Sequence, residues 1–346
     1  MTAPNDLVDP LPNHRFDEAA LEAYLERELE GFSTLQRVRQ FSGGQSNPTF
    51  LLSTAGGPYV LRKKPPGKLL PSAHQVEREH RLYEALRETE VPVPRTHLLV
   101  EDSSVIGTPF YVMEYVDGRV FTDPILATLT PPERAAVYAE LGRVLAALHS
   151  VDYGAIGLSD FGKPGNYFVR QIGRWTKQYI AAQTDDVPDM NRLMEWLPEH
   201  VPDDERTAIV HGDYQLYNLL FHPTEPRVAA VLDWELSTLG HPLADLAYLC
   251  MSYHLPLRGL PIVPGDGIPT EDEFVAAYSA RTGAGPIEHW NFYLAFGFFR
   301  IASIAQGVYK RGLQGNASSP EAIHMREAVG RTAQKGWELA RQWRLR

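Results

Sequence analysis

Val210-His211-Gly212-Asp213-Tyr214-Gln215-Leu216-Tyr217-Asn218-Leu219-Leu220-Phe221 leads, across Pro223-Thr224-Glu225-Pro226, into Val228-Ala229-Ala230-Val231-Leu232-Asp233-Trp234-Glu235. Two short apolar runs, 218–222 and 227–232, flank the Pro-containing segment, and that arrangement predicts a β-hairpin with a four-residue turn. A hairpin returns the chain to where it started, so Asp233 is expected beside Asn218. A carboxylate and an amide oxygen side by side are hard oxygen ligands, suited to Mg²⁺ bridging phosphates. Asp213 stands five positions before Asn218. That D-x-x-x-x-N spacing is the one in which an Asp takes the proton of an acceptor hydroxyl and an Asn holds metal. Taken singly, each residue also reads as a turn cap or a strand end. The joint pattern of H-G-D-x4-N, apolar hairpin and L-D-W is far more specific, and it implies nucleotide-dependent phosphoryl transfer.

Composition sets the frame for that reading. The chain has 346 residues, 44% of them hydrophobic and 22% charged, values ordinary for a water-soluble globular protein with room for two lobes. At this size about 75% of the unfolded chain's surface is buried on folding. No apolar run approaches the roughly 18 residues of a membrane span. Met1–Pro10 has neither a basic segment nor an apolar one, so no secretory signal is expected and a cytoplasmic setting is. The single cysteine, Cys250, sits in the apolar run Leu246–Met251 and reads as a buried, inert thiol. A formal net charge of −10 argues against nucleic-acid binding. Mg·ATP needs only a local cluster of cations, and Arg62, Lys63, Lys64 and Lys68 supply one.

Upstream of the hairpin, 14–30 has the periodicity of an amphipathic helix, with Phe16, Leu21, Tyr24, Leu25 and Leu29 on one side. Strands are expected at 35–41, 49–53, 59–62, 98–101 and 110–114, giving a five-stranded sheet. The loop Ser42–Asn47 between the first two contains Gly43, Gly44 and Ser46, whose backbone N–H groups can approach phosphate oxygens as readily as they can close a plain hairpin. Strand alternation puts Val60 and Arg62 on one face and Tyr59, Leu61 and Lys63 on the other, so only one of the two cations can line a phosphate site. In the helix expected at 73–88, Val76, Glu79, Tyr83 and Leu86 share a stripe. A carboxylate within an apolar stripe calls for a cation from the sheet beneath, because an unpaired buried charge is costly. The strand at 110–114 runs into Tyr115-Val116-Asp117-Gly118, an expected hinge whose backbone around Glu114 and Val116 is expected to read an adenine edge.

With these pieces in order, the sequence resembles the aminoglycoside phosphotransferase/choline kinase-like family over roughly residues 35–310. The resemblance rests on F-S-G-G-Q-S-N, Y-V-L-R, V-E-R-E, V-M-E-Y-V-D-G, H-G-D-x4-N and L-D-W-E. Its wording is nearer still to one branch, the kinase-like domain that precedes the dehydrogenase in long acyl-CoA dehydrogenase proteins (members ten and eleven) and its free-standing bacterial relatives. A free-standing chain without the flavin dehydrogenase domain is therefore expected. The resemblance implies Asp213 as catalytic base, Asn218 and Asp233 as Mg²⁺ ligands, Arg62 as the cation on the ATP phosphates and Glu79 as its helix partner. It also implies His211 and Asp245 as braces of the catalytic loop. Many relatives have Lys where this chain has Arg62, and an Arg fork is not freely exchanged for an ammonium. Tyr217, Glu235 and Arg300 are the acceptor-pocket candidates; Glu235 also offers a further metal oxygen. Tyr217 departs from the smaller or polar residues common at its position, which sets an aminoglycoside acceptor in doubt.

The second lobe is expected to be mainly helical, with helices at 131–151, 270–281 and 288–311, the last apolar almost all round and central. Arg300 interrupts it, either paired with a structural Asp or binding an acceptor carboxylate or phosphate. Arg170, Arg174, Trp175, Tyr179 and His254 read as packing residues that are also placed to line an acceptor pocket. The fold class that follows is α+β, protein-kinase-like and bilobal, with a small antiparallel-sheet lobe and one key helix at 1–116 and a helical lobe at 117–346. The expected reaction moves the γ-phosphoryl group of Mg·ATP to a small-molecule hydroxyl, with the branch resemblance hinting at a hydroxylated acyl or acyl-CoA compound. Two other readings stand beside it. One is a catalytically silent nucleotide-binding partner of a separate acyl-CoA dehydrogenase. The other is a metal hydrolase using His211, Asp213, His222 and His241, which lack the helix-phased pair H-x-x-x-H.

Overall fold

Alternation in 35–41, 49–54 and 57–63 produces an antiparallel meander, and the rest of the chain follows from it. A computed structural model describes residues 7–42, 47–66, 74–256, 260–315 and 320–343. In chain order the elements are β1 (Leu7–Val8), α1 (Glu18–Glu28), β2 (Leu35–Phe41), β3 (Thr49–Thr54), β4 (Gly57–Lys63), α2 (Val76–Leu86), β5 (Thr96–Val100), β6 (Phe110–Glu114), β7 (Arg119–Val120), α3 (Pro131–His149), α4 (Tyr167–Ala182), α5 (Pro188–Glu199), β8 (Ala208–Val210), β9 (Leu219–Phe221), β10 (Val228–Val231), β11 (Thr238–Gly240), α6 (Leu243–Cys250), α7 (Glu271–Thr282), α8 (Trp290–Leu313) and α9 (Met325–Arg341).

Contacts divide the chain into two compact units. The first holds the residues up to Thr122 with Gly154–Leu158 and Gln215–Leu236; the second holds Asp123–Tyr153, Ser159–Tyr214 and the residues from Ser237 on. The division does not follow a cut at 116/117. β7 pairs with β9, Arg119 opposite Phe221, and β9 pairs with β10, so the hairpin joins the first unit. Gly118 makes this close approach workable: a Cβ there would lie 2.4 Å from the Phe221 carbonyl oxygen and 2.6 Å from Leu220 Cγ. Gly118→Ala is accordingly expected to lower stability by about 1–3 kcal/mol, the usual cost of overpacking. Denaturant melts would check this, and an unchanged midpoint would contradict it.

The sheet of the first unit has six strands, in the order β1-β2-β3-β4-β6-β5, and not the five expected. The extra edge strand is only Leu7–Val8, opposite Phe41 and Gln40, too short to leave a periodic signal. One sheet face presents Phe50, Leu52, Leu61, Phe110 and Val112 to Leu21 and Leu25 of α1. α1 begins later than 14 because Asp17 caps it, its Oδ1 accepting from Ala20 N at 3.0 Å. The other face carries Arg62 opposite Tyr111, against α2.

In the second unit, α8 packs against α4, α6 and α9, as its nearly all-round apolar surface requires. α7 starts at a reciprocal capping box, with Thr270 N donating to Glu273 Oε2 at 2.8 Å and Glu273 N to Thr270 Oγ1 at 3.2 Å. Buried His241 stacks on Tyr293 and lies 3.2 Å from Asp204, while its Nδ1 accepts from Leu243 N. Burial pushes this imidazole down to about 4, against the opposing pull of Asp204. A His held neutral by the fold contributes stability that is complete above its unfolded value near 6.5 and is lost as pH falls toward 4. His241→Asn is expected to flatten the dependence of melting temperature on pH in that window, by up to about 3 kcal/mol. Parallel wild-type and variant curves between pH 6.5 and 4 would contradict this.

Candidate active site

The hairpin does what the sequence asked of it. β9 and β10 are antiparallel with Val231 opposite Leu219, and His222 N donates to Arg227 O at 2.8 Å across the turn. Leu232 N donates to Asn218 O at 2.9 Å, which sets Asp233 next to Asn218. Asp233 adopts a left-handed backbone, φ +64°, a conformation Asp tolerates better than most residues. Trp234 follows, buried, its indole N–H donating to Val231 O at 3.0 Å and so fixing the turn.

Arg62 of β4 reaches this turn. Its Nε lies 2.8 Å from Glu79 Oε2 and its Nη2 2.8 Å from Asp233 Oδ1, with Glu235 Oε2 at 3.9 Å. The Arg62 side chain is 7% exposed and that of Glu79 2%. Burial opposes the charge on Arg62, but Glu79 and Asp233 outweigh it and hold the guanidinium firmly protonated. Burial pushes the Glu79 carboxyl up, and Arg62 pulls it back. Glu79 also accepts from Asn47 Nδ2 at 2.7 Å and Tyr111 Oη at 3.1 Å. The ambiguity over which cation faces α2 is resolved by strand alternation: Lys63 is also buried, but on the other side, 6.0 Å over the Phe50 ring. Lys64 pairs with Glu77. Gly43, Gly44, Ser46 and Lys68 lie outside the described residues.

Beside these groups the first unit contains an apolar recess lined by Phe41, Val60, Met113, Val116, Leu220 and Leu232. Glu114 borders it, but its N–H donates to Arg95 O at 2.9 Å and its carboxylate accepts from Arg95 N at 2.8 Å. The N–H of Glu114 is therefore engaged within the sheet, while Glu114 and Val116 both border the recess. Among the described residues the Val116 N–H and C=O make no hydrogen bond.

The second unit holds Asp213. β8, paired antiparallel with β11, delivers the chain into His211-Gly212-Asp213. Asp245 of α6 accepts from His211 N at 2.6 Å and Gly212 N at 2.9 Å. Burial would raise the Asp245 carboxyl, but His149, His211 and the Gly212 N–H overcome this and hold it below the usual range. Gly212 sits at φ +83°, where a side chain would be strained. His211 is wholly buried, with Nδ1 accepting from Asp213 N at 3.2 Å. Tyr214 Oη donates to Leu141 O at 2.9 Å, anchoring the far side of the loop.

Three supporting residues, one in the first unit and two in the second, are not marked by the sequence reading. Tyr248 donates its hydroxyl to Asp213 Oδ1 at 2.8 Å; its position three after Asp245 on one helix face was a usable signal. Asn47 and His149 support Glu79 and Asp245, respectively, from segments distant in sequence, and nothing local marks them. Of the acceptor-pocket candidates, Tyr217 and Glu235 belong to the first unit and Arg300 to the second. Among the described residues Arg300 pairs with no structural Asp: it donates to Gly212 O at 2.7 Å and lies over the Tyr248 ring. His254 pairs with Glu271 at 2.9 Å and Tyr179 is fully buried, both as packing residues. Cys250 is buried as expected.

A family model described as the phosphotransferase enzyme family matches residues 37–292. The chain belongs to the phosphotransferase enzyme family. Its fold is the protein-kinase-like α+β fold shared by solved members of that family. A provisionally named aminoglycoside phosphotransferase from Ralstonia eutropha, solved by crystallography, is 51% identical with a TM-score of 0.87, over 95% of this chain and 99% of that one. A thermostable mutant of aminoglycoside phosphotransferase APH(4)-Ia, in ternary complex with ADP and hygromycin B, has a TM-score of 0.62 over 92% of this chain and 98% of its own. At 18% identity that likeness is one of fold alone. Acyl-CoA dehydrogenase family member 10 of Mus musculus is 50% identical over 330 residues, covering 93% of this chain and 31% of the relative. Acyl-CoA dehydrogenase family member 11 of Rattus norvegicus is 46% identical over 354 residues, covering 99% and 45%. The chain thus spans less than half the length of these curated relatives. Among the described residues no helix of this phosphotransferase is long and apolar enough to cross a membrane.

Proposed function

We propose that this phosphotransferase moves the γ-phosphoryl group of Mg·ATP to the hydroxyl of a small molecule, with Asp213 as the base. The observation that carries the reading is the hairpin turn, where Asn218 and Asp233 lie together and Asp233 meets the Arg62–Glu79 pair. Asn218, Asp233 and Glu235 offer hard oxygen donors, the kind Mg²⁺ prefers. Among the described residues no three His, Cys, Asp or Glu side chains cluster tightly enough to hold an ion by themselves. That donor set fits a metal that takes its remaining ligands from phosphates and water, as Mg²⁺ commonly does in kinase sites. When bound, the metal supplies charge neutralisation on the phosphate oxygens.

The chain's own residues do the rest. Arg62, kept charged and aimed by Glu79, presents a planar fork of donors to phosphate oxygens. The recess bordered by Val116 accepts the adenine ring, and the first unit, hairpin included, acts as the nucleotide-binding one. Within the second unit, Asp245 and His211 brace the loop of Asp213. Asp213 accepts the hydroxyl proton as the acceptor oxygen bonds to γ-phosphorus and the bond to the ADP oxygen breaks. The acceptor class favoured by the kinship with acyl-CoA dehydrogenase family members 10 and 11 is a hydroxylated acyl or acyl-CoA compound, with a functional link to an acyl-CoA dehydrogenase.

The test is to incubate the chain with Mg·ATP and a panel of hydroxyacyl-CoA compounds, following ADP release and phosphoester formation by mass spectrometry. A phosphorylated acyl product that needs both ATP and metal is expected. Nucleotide binding with no turnover on any hydroxyl compound would overturn the reading, in favour of a catalytically silent partner of a dehydrogenase.

A further inference from the structure

The second unit carries two cations that phosphoryl transfer itself does not use. Arg174 of α4 and Arg300 of α8 lie over the ring of Trp175, 5.4 and 5.9 Å from its centroid. Arg300 also lies 5.4 Å over the ring of Tyr248, the residue whose hydroxyl donates to Asp213. Aromatic faces hold a guanidinium without occupying its N–H groups. Of those groups on Arg300, one is engaged by Gly212 O, and the others have no protein acceptor among the described residues.

Neither Arg174 nor Arg300 forms an ion pair with a carboxylate among the described residues. In a chain with 43 acidic and 33 basic residues, that is not for want of carboxylates. Asp245 is already committed to His211, Gly212 and His149. Arg170, one turn before Arg174, makes the contrast: its guanidinium donates to the Gly165 and Lys163 carbonyls and serves the start of α4. Burial, with Asp245, raises the Tyr167 phenol, while Arg300, Arg174 and Arg170 pull it back; it is the shared Trp175 ring that puts Arg174 and Arg300 near one another. Arg174 is exposed and Trp175 and Arg300 are partly buried, so the spot is open to a solute.

We propose that Arg174, Trp175 and Arg300 form an anion-binding subsite that holds a carboxylate or phosphate of the acceptor, making the acceptor an anionic alcohol and not a cationic one. Two guanidinium forks match the paired oxygens of either group. Arg300 bonds the residue before Asp213, so an anion seated there fixes the acceptor against the base from a neighbouring position. This rests on Asp213 serving as the base of phosphoryl transfer.

The experiment titrates inorganic phosphate, and separately acetate, onto the full chain saturated with Mg·AMP-PNP, reading tryptophan fluorescence; Trp175→Phe defines the share due to Trp175. A saturable Trp175 signal is expected for both anions, with none for choline at equal ionic strength. The apparent Kd should weaken by about tenfold or more in Arg174→Gln and in Arg300→Gln. Gln at 300 keeps a donor for Gly212 O, and Arg174→Gln, on an exposed face, decides the matter should the first variant fold poorly. The subsite is overturned by a signal that only tracks ionic strength (an adventitious ion only), by an equal response to choline, or by unchanged affinity in Arg174→Gln. Mg·ATP stabilisation of the same proteins separates the two ideas. Stabilisation without an anion response sinks the subsite alone, and its absence in wild type sinks the phosphoryl-transfer reading.

Discussion

Asp213→Asn is expected to lower kcat by about 10²–10⁴-fold, the usual worth of a positioned general base. The amide is nearly isosteric with the carboxylate and keeps an oxygen for the Tyr248 hydroxyl, which donates to Asp213 Oδ1 at 2.8 Å. The loop itself is held by other residues. Asp245 takes the His211 and Gly212 N–H groups, Arg300 the Gly212 carbonyl, and Tyr214 reaches Leu141. Melting temperature and KM for ATP should therefore stay close to wild type while turnover collapses. Steady-state ADP release with the acceptor found in the hydroxyacyl panel makes the comparison. A variant retaining more than about a tenth of wild-type kcat would remove Asp213 from the role of base.

Glu79→Ala is expected to be the most destabilising single change in the first unit. It leaves a buried guanidinium with one carboxylate partner fewer and strands the Asn47 amide and the Tyr111 hydroxyl. Breaking a buried ion pair from one side costs about 3–5 kcal/mol. Asp233 still faces Arg62 and softens the loss toward the lower end. Glu79→Gln, which retains an acceptor for Asn47 and Tyr111 but not the charge, should fall between Ala and wild type. Chemical denaturation gives the order directly. If Glu79→Ala unfolds at the wild-type midpoint, Glu79 is not the partner that holds Arg62.

Much of this is legible in the sequence, and what is legible has a common physical origin. The hairpin announced itself through two apolar runs and a Pro-rich turn. Two periodicities, that of a strand separating Arg62 from Lys63 and that of a helix placing Glu79 in an apolar stripe, called for a pair between Glu79 and one of the two cations, and the family resemblance named Arg62. Both depend on neighbours in the chain. The features that escaped depend on partners far away in it. Asn47 meets Glu79 across 32 positions, and His149 meets Asp245 across 96. Arg300 bonds a backbone carbonyl 88 positions before it, so the nature of its partner left no mark in the side-chain pattern. β1 was missed because two residues carry no period. The cut at 116/117 did not anticipate that β7 and Gly118 would tie the hairpin to the first unit, since strand pairing between segments a hundred residues apart is a tertiary choice.

The most direct test of the account is the melting temperature of the chain with and without Mg·ATP, in wild type and in Asp233→Ala. A ligand that binds only the folded state stabilises it by mass action, by about 2.7 kcal/mol at a hundredfold excess over Kd. Wild type is expected to melt several degrees higher with Mg·ATP than with ATP and chelator, and Asp233→Ala to lose that metal-dependent difference. No shift in wild type at millimolar Mg·ATP, or an equal shift in the variant, would contradict a nucleotide site built on Asp233.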